Sequence, residues 1–119
     1  MIKKPIIVRN SRIPALLSWV IKIYAITLFP FVFIRDHGDE VTITHETIHH
    51  HQYLETLVIG FPIIYLADWL VGLIKYRDSE KAYYQIRFEQ EAYNNDLYED
   101  YLEKRKPFAW KDYSLGGKK

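Results

Sequence analysis

The chain of 119 residues contains no cysteine. That absence excludes a disulfide-stabilised scaffold, a thiolate zinc site, an iron–sulfur cluster and a cysteine nucleophile. Any metal site in this chain must therefore be built from histidine and carboxylate side chains. Such a ligand set is typical of a catalytic zinc rather than of a purely structural one.

An excess of one charge sign is also missing, because 16 lysines and arginines face 15 aspartates and glutamates. A protein that binds nucleic acid through bulk charge needs a surplus of cations to neutralise phosphates. We therefore expect no nucleic-acid partner. The length fits a single domain with a modest core, and an aromatic content of 16% is too high for a disordered segment.

Long unbroken apolar runs are lacking as well. The segments 13–34 and 57–74 approach the length of a membrane span with one charged residue each, but proline interrupts both and glycine interrupts the second. The N-terminus shows no clear apolar region of a secretory signal. We expect a cytoplasmic protein, and association with a membrane surface is an alternative that is favoured over a true span.

The residues between Val20 and Arg35 are mostly β-branched or aromatic, which predicts strands. A polar turn follows, and Thr42 or Thr44 is a suitable N-cap for the next helix. We expect this helix to cover about residues 43–59 and to break at the glycine and proline that follow.

Two further helices are predicted downstream. The first covers residues 62–75 and is apolar nearly all round, so it is either buried or lipid-facing. The second follows a capping Asp78 and runs over residues 80–104 as a stretch of good helix formers. The predicted fold class is therefore α+β and mostly α, with a short β element followed by three helices. We expect one domain over residues 1–119 with a flexible tail from about residue 114.

Histidines are few but concentrated, since four of the five lie between His45 and His51. The segment contains H-E-x-x-H, in which His45 and His49 are four residues apart. On a helix this spacing places both imidazoles on one face, where they can share a metal ion. Glu46 follows His45 by about 100°, beside the metal, where its carboxylate could take a proton from a metal-bound water. One zinc ion is the natural expectation. The competing interpretation is a solvated, histidine-rich helix face.

Two histidines leave zinc short of protein ligands, and without cysteine the third must be His, Asp or Glu. His37 is the one histidine outside the cluster, but Glu89 on the long helix is the better candidate. At 100° per residue Glu89 falls inside an apolar stripe, whereas Glu91 points to the opposite side and is expected to face solvent. A carboxylate in an apolar stripe is costly to bury unless it is paired or bound to metal. The alternative for Glu89 is a buried ion pair with Arg87 or a histidine.

With these residues the sequence resembles the gluzincin type of zinc metallopeptidase. His45-Glu46-x-x-His49 is followed on a later helix by Glu89-x-Glu91-Ala92, and prenyl-protein-processing and antirepressor-cleaving peptidases pair H-E-x-x-H with E-x-x-A-D or E-x-E-A-N. The first glutamate of that second motif is a zinc ligand there. The resemblance therefore implies that His45, His49 and Glu89 hold zinc.

The resemblance also implies a minimal zincin-like core with a zinc-bound water and Glu46 as the general base. It further implies a β edge upstream of the active helix that pairs with an extended peptide. The chain departs from the pattern at Tyr93, where such peptidases carry Asp or Asn as a partner of a ligand histidine. It is also smaller than most such peptidases.

Five other polar side chains are candidates for supporting the site. Gln52, together with Thr56, continues the His45/His49 face and could hydrogen-bond a ligand. His50 could steady the base or an oxyanion. Asp68 interrupts an apolar helix, so it bonds either a ligand histidine or another buried polar group. Tyr93 could donate its hydroxyl to a developing oxyanion, although it could equally be core.

These features predict a zinc-dependent metallopeptidase that acts on a peptide or protein substrate, with Glu46 activating the attacking water. Two alternatives remain open at the level of sequence. One is a zinc-binding or interaction protein that retains a zincin-like fold without proteolysis. The other is a membrane-associated protein in which the histidines are incidental.

Overall fold

A computed structural model describes residues 4–17, 24–115 and 117–118. Its main sheet has three strands in the order β1-β3-β2, and a second sheet pairs two short strands near the C-terminus. The strands are β1 (Ile6–Val8), β2 (Ala25–Leu28), β3 (Phe31–Ile34), β4 (Tyr113–Ser114) and β5 (Gly117–Lys118). The strands predicted within Val20–Arg35 are thus present as β2 and β3, and residues 20–23 of that run lie outside the described part of the chain.

Strand β3 is the centre of the main sheet. It pairs in parallel with β1 and antiparallel with β2, with Thr27 of β2 opposite Val32. Val32 and Ile34 alternate along β3 and are both fully buried, as the two-residue period of a strand requires for one covered face. Strand β2 is left at the edge of the sheet, where it contacts the second helix.

The described residues form six α-helices and one 3-10 turn. They are α1 (Ile13–Leu17), α2 (Glu40–Glu55), α3 (Gly60–Tyr76), α4 (Ser79–Gln85), α5 (Arg87–Asn95), α6 (Tyr101–Lys104) and the 3-10 turn Ala109–Asp112. The predicted α+β class with mostly helix is confirmed. The expectation of three helices was too simple, because α1 was not predicted and the long third helix is divided into α4, α5 and α6.

Helix α2 begins earlier than predicted. Its N-cap is Asp39, whose carboxylate accepts the backbone N–H of Thr42 at 2.7 Å, so neither Thr42 nor Thr44 caps the helix. It also ends earlier, at Glu55, because Leu57 and Val58 adopt left-handed backbone angles of +58° and +65°. The break therefore precedes Gly60, which is the first residue of α3.

Helices α3 and α4 pack against each other with very little space between their backbones. A Cβ added to Gly72 of α3 would lie 2.8 Å from the Cβ and 2.9 Å from the Cα of Ala82. Ala82 itself is fully buried. Glycine at position 72 and alanine at position 82 therefore set the separation of these two helices.

The predicted helix over residues 80–104 is interrupted at Ile86, which has an extended backbone with ψ of 130°. The cause lies on α3, where Asp68 is buried and its carboxylate accepts the backbone N–H of Arg87 at 3.1 Å. The same carboxylate binds the Arg87 guanidinium at 2.9 Å. Asp68 thereby caps a new helix start at Arg87, which local propensity could not reveal.

An aromatic stack forms the core beneath α2, α3 and α5. Phe61 lies between Tyr53 and Phe88, with ring centroids 4.0 Å and 4.5 Å away. Phe88 in turn meets Trp110 edge-on at 4.8 Å, so the C-terminal segment packs onto the body of the protein. Aromatic pairs in such geometries stabilise a core beyond the area they bury.

Over the described ranges, no single helix is long and apolar enough to cross a membrane. Helices α2 and α3 pass the same test only as a pair, and they are bent by 110° where they meet.

The close contact of α3 with α4 leads to a stability prediction. Gly72→Ala should destabilise the protein by about 1–3 kcal/mol, because overpacking outweighs the gain in helix propensity. Urea unfolding monitored by circular dichroism measures the change. Val71→Ala, on the exposed side of the same helix turn, should change stability by less than about 0.5 kcal/mol.

The double variant Gly72→Ala/Ala82→Gly serves as the control for the contact itself, since it moves the methyl group to the other helix. It should be more stable than Gly72→Ala alone. A single Gly72→Ala variant as stable as the original protein would contradict the close approach.

Candidate metal centre

Three potential metal ligands meet where α5 packs on α2. His45 and His49 lie one turn apart on α2, and Glu89 comes from the first turn of α5. All three side chains are buried, and their ligand atoms lie within 4.8 Å of one another. The structure thus brings together the three residues that the sequence predicted, as a group that could hold a metal ion.

The distances between the ligand atoms suit a small cation. Oε1 of Glu89 lies 3.0 Å from Nε2 of His45 and 3.0 Å from Nε2 of His49. Donors bound to one tetrahedral metal at about 2.0–2.1 Å lie roughly 3.3 Å apart. Both of these distances are close to that value, and all three ligand atoms lie within 4.8 Å of one another.

The opposite edge of each imidazole ring has its own partner. Nδ1 of His45 lies 3.0 Å from Oδ2 of Asp96, and Nδ1 of His49 lies 2.7 Å from Oε1 of Gln52. A partner at Nδ1 fixes both the orientation and the tautomer of a ligand histidine. Both rings are consequently held with Nε2 directed at Glu89.

The orientation of the Gln52 amide follows from its other contacts. Its nitrogen donates to the carbonyl oxygen of Phe88 at 3.1 Å and to Oε1 of Glu91 at 2.9 Å. Since both of these groups accept hydrogen bonds, the amide oxygen must be the atom that faces His49. Nδ1 of His49 therefore donates its proton, and a neutral His49 ring presents the lone pair of Nε2 to the centre of the group.

Glu89 is held in a similar way. The hydroxyl of Tyr65 on α3 donates to Oε2 of Glu89 at 2.6 Å, which leaves Oε1 facing the two histidines. Burial raises the pKa of Glu89, but the adjacent His49 and His45 outweigh burial and hold it below its usual range. The carboxylate therefore stays negatively charged inside the protein.

The negative charge of Glu89 raises the pKa values of His45 and His49. Burial lowers the pKa of His45, yet the hydrogen bond to Glu89 and its negative charge leave the pKa raised. Burial also opposes the charged form of His49, but Glu89 raises the pKa of His49 to about 9. Glu89 thus favours a positive charge beside it, which is carried by a proton on the histidines. A metal cation would compete with these protons for the same nitrogen atoms.

Glu46 lies beside the three potential ligands but is not one of them. Its Oε2 lies 3.9 Å from Nε2 of His45, and its side chain is buried. The hydroxyl of Thr27 lies 2.8 Å from Oε1 of Glu46 and 2.9 Å from its main-chain oxygen. The edge strand β2 therefore positions the carboxylate that the sequence predicted as a base.

The remaining predicted site residues are placed differently. The ring of Tyr93 packs edge-on against His45 with centroids 4.4 Å apart, and its hydroxyl bonds that of Tyr83 at 2.8 Å. His50 is fully buried and stacks on Phe29 at 5.0 Å, so it is not a solvated face residue. Asp68 binds Arg87, which is the second of its two predicted roles.

Sequence reasoning missed three supporting residues: Asp96, Tyr65 and Thr27. Asp96 carried a recognisable signal, because it lies seven residues after Glu89, two helical turns along the same face. Asp96, and not residue 93, is thus the carboxylate partner of His45. Tyr65 and Thr27 reach the centre from α3 and β2, and no local pattern indicates those contacts.

The prediction that Glu91 faces solvent was wrong. Glu91 is fully buried and binds Arg105 at 2.6 Å and the hydroxyl of Tyr101 at 2.7 Å. Arg105 also forms two hydrogen bonds with Glu55, at 2.6 and 2.9 Å. This ion network reaches Gln52 through Glu91, so it supports the second contact of His49.

No protein-family model, curated protein or solved structure matches this chain.

Removing the carboxylate ligand tests whether these residues hold metal. Glu89→Ala should reduce bound zinc from about one ion per chain to almost none, because two histidines alone provide too few protein ligands. Elemental analysis of purified protein measures the content. Glu99→Ala, at an exposed acidic position beyond α5, should retain the ion. Equal zinc in the Glu89→Ala variant would exclude Glu89 as a ligand.

The contact between His45 and Asp96 leads to a separate prediction. Asp96→Ala should weaken zinc binding by about 10- to 100-fold, since the orienting partner of a ligand histidine is lost. Asp96→Asn should have a smaller effect, because its amide oxygen can still accept from Nδ1. Competition with a chromophoric chelator measures both affinities.

The matched control for Asp96 is Asp100→Asn. Asp100 is exposed and pairs with Lys104 on α6, so its charge can be removed without touching the centre. If Asp96→Ala bound zinc as tightly as the Asp100→Asn control, Asp96 would have no role in orienting His45.

Proposed function

We propose that this protein is a zinc-dependent metallopeptidase of the gluzincin type. One observation carries the proposal: a buried carboxylate, Glu46, stands beside a group of two imidazoles and one carboxylate whose ligand atoms are already turned toward each other. A purely structural metal site has no need of such a carboxylate.

The donor set supports zinc as the metal. Two neutral imidazole nitrogens and one carboxylate oxygen are the protein ligands of many catalytic zinc sites, which keep a further position open. Bound there, zinc would polarise a carbonyl oxygen and lower the pKa of a water molecule. The protein's own contribution is to hold His45, His49 and Glu89 in the required orientation through Asp96, Gln52 and Tyr65.

In this proposal Glu46 is the general base. Its Oε1 is engaged by the Thr27 hydroxyl, so Oε2 is the atom that faces the centre and accepts the proton of the attacking water. The same carboxyl group then returns the proton to the leaving amine. The surrounding burial limits competing contacts with bulk water.

Tyr93 is the candidate donor to the oxyanion that develops on the substrate carbonyl. Its ring packs against the His45 ring, and its hydroxyl shares a hydrogen bond with that of Tyr83. Burial and the nearby Glu89 raise the pKa of Tyr93, while the bond to Tyr83 opposes the rise. The hydroxyl therefore stays protonated near neutral pH and remains able to donate.

The edge strand β2 supports the proposed class of substrate. Strand β2 has β3 on one side only. Its Thr27 carbonyl oxygen already accepts the Tyr53 hydroxyl at 3.0 Å, and the other main-chain groups of an edge strand can pair with an added extended segment. Thr27 of β2 also holds the general base, so a peptide paired along β2 would pass close to Glu46. This arrangement supports a peptide or an unfolded protein segment as the substrate.

The second candidate is a zinc-binding protein without hydrolytic activity. The burial of all three ligands favours it, because the histidines and Glu89 are at most 6% exposed and offer little room for a substrate. This candidate predicts stoichiometric zinc and no cleavage of any peptide.

Glu46→Gln distinguishes the two candidates. The variant should retain zinc and lose turnover by about 10²- to 10⁴-fold, because glutamine fills the same volume but cannot accept the proton. The assay incubates the zinc-loaded protein with a mixture of random-sequence peptides and detects new termini by mass spectrometry.

Glu40→Gln provides the control, since Glu40 is an exposed glutamate at the start of the same helix, and it should cleave as the original protein does. Undiminished cleavage by Glu46→Gln would refute the role of Glu46. Failure of the zinc-loaded original protein to cleave any peptide would favour the non-hydrolytic candidate.

A further inference from the structure

The outer face of α3 is apolar along almost its whole length. Of the eight exposed positions on this helix, only the last is charged. In chain order they are Pro62, Ile63, Leu66, Ala67, Leu70, Val71, Ile74 and Lys75. A helix on the surface of a globular protein normally directs polar side chains to solvent, and α3 does the opposite.

The turn that precedes α3 extends this face. The side chain of Leu57 is 86% exposed and that of Ile59 is 71% exposed. Leu57 and Val58 both have left-handed backbone angles, which cost residues other than glycine about 1–2 kcal/mol each. The chain thus accepts local strain at a turn in which Leu57 and Ile59 are exposed, while Val58 packs against the core.

The outer side chains of this turn and of α3 form one surface, which we call the α3 face: Leu57, Ile59, Ile63, Leu66, Leu70 and Ile74. Helix α3 has 17 residues and is therefore about 25 Å long. Six aliphatic side chains that are between 46% and 86% exposed along one helix and its preceding turn form an apolar patch of a kind that monomeric proteins rarely expose. Surfaces of this kind contact a partner or a membrane.

Cationic groups lie at the C-terminal end of the α3 face. The ammonium groups of Lys75 and Lys81 lie 5.5 and 4.8 Å from the centre of the Tyr76 ring. Arg77 follows directly in the chain. The carboxylates at this end are Glu80 and Asp78, and Asp78 is engaged in capping α4 through the N–H groups of residues 80 and 81.

These features favour lipid over a second protein surface as the occupant. Protein interfaces carry about one hydrogen bond per 100–200 Å², and between Ile63 and Ile74 the exposed side chains offer no donor or acceptor. Lipid chains need none. Lysines beside a tyrosine at one end match the phosphate level of an anionic membrane, where aromatic and basic side chains concentrate.

We propose that the α3 face binds the surface of an anionic lipid membrane. Helix α3 lies parallel to the membrane, with its aliphatic side chains inserted at the boundary of the headgroups and acyl chains. Lys75 and Lys81 then contact lipid phosphates. The proposal does not depend on hydrolytic activity, because none of the residues in the α3 face belongs to the metal centre.

Vesicle co-sedimentation of the full-length protein tests the proposal. The protein should sediment with vesicles of phosphatidylcholine and phosphatidylserine, and less with phosphatidylcholine alone. Leu66→Glu/Ile74→Glu should weaken binding by about tenfold or more, because two charges would enter the apolar layer. Lys75→Glu/Lys81→Glu should weaken binding to the anionic vesicles selectively.

The matched control is Leu16→Glu, which places one charge at a leucine of α1 that is 75% exposed and outside the α3 face. It should bind vesicles like the original protein. Circular dichroism and zinc content report whether the α3 variants remain folded, since the substituted side chains are already exposed. An unfolded double variant would be replaced by Ile74→Glu alone, for which several-fold weaker binding is expected.

Three results would overturn the proposal. The first is that the original protein stays in the supernatant with both kinds of vesicle. A folded Leu66→Glu/Ile74→Glu variant could bind as well as the original. Finally, sedimentation equilibrium could reveal a dimer that the same substitutions dissociate, without any vesicle binding, which would identify a second copy as the occupant of the α3 face.

Discussion

The buried carboxylate of Glu89 is the constraint on which the rest of the centre depends. A negative charge inside a protein must be compensated, because the cost of removing it from water amounts to several kcal/mol. Here two imidazoles and a tyrosine hydroxyl surround it. Each of these groups comes from a helix packed against α5, so compensating Glu89 determines how α2, α3 and α5 are arranged.

The two imidazole rings are in turn held by hydrogen bonds at their Nδ1 atoms. Asp96 holds His45, and Gln52 holds His49 with an amide whose direction is set by Glu91 and the main chain of Phe88. Through Glu91 this chain of contacts continues to Arg105 near the C-terminus. His45 and His49 are close together in the sequence, but the orientation of their rings depends on residues far along the chain.

The sequence predicted those parts of the centre that depend on a single helical turn. His45, Glu46 and His49 follow from their spacing, and Glu89 follows from its place in an apolar stripe. Asp68 and Glu91 were harder to interpret because their partners are arginines from other elements. The division of the third predicted helix has the same origin, since a carboxylate on α3 starts α5 at Arg87 although helix propensity around residue 86 favours continuation.

Helix α3 has two sides with separate roles. Its inner side supplies Tyr65 to Glu89 and Asp68 to the first N–H of α5, and its outer side is aliphatic. The helix is continuous over nearly five turns and packs closely against α4 at Gly72. Because Tyr65 and Asp68 belong to the same helix as the outer aliphatic side chains, any displacement of α3 would shift the hydroxyl that holds Glu89 and the carboxylate that anchors the start of α5.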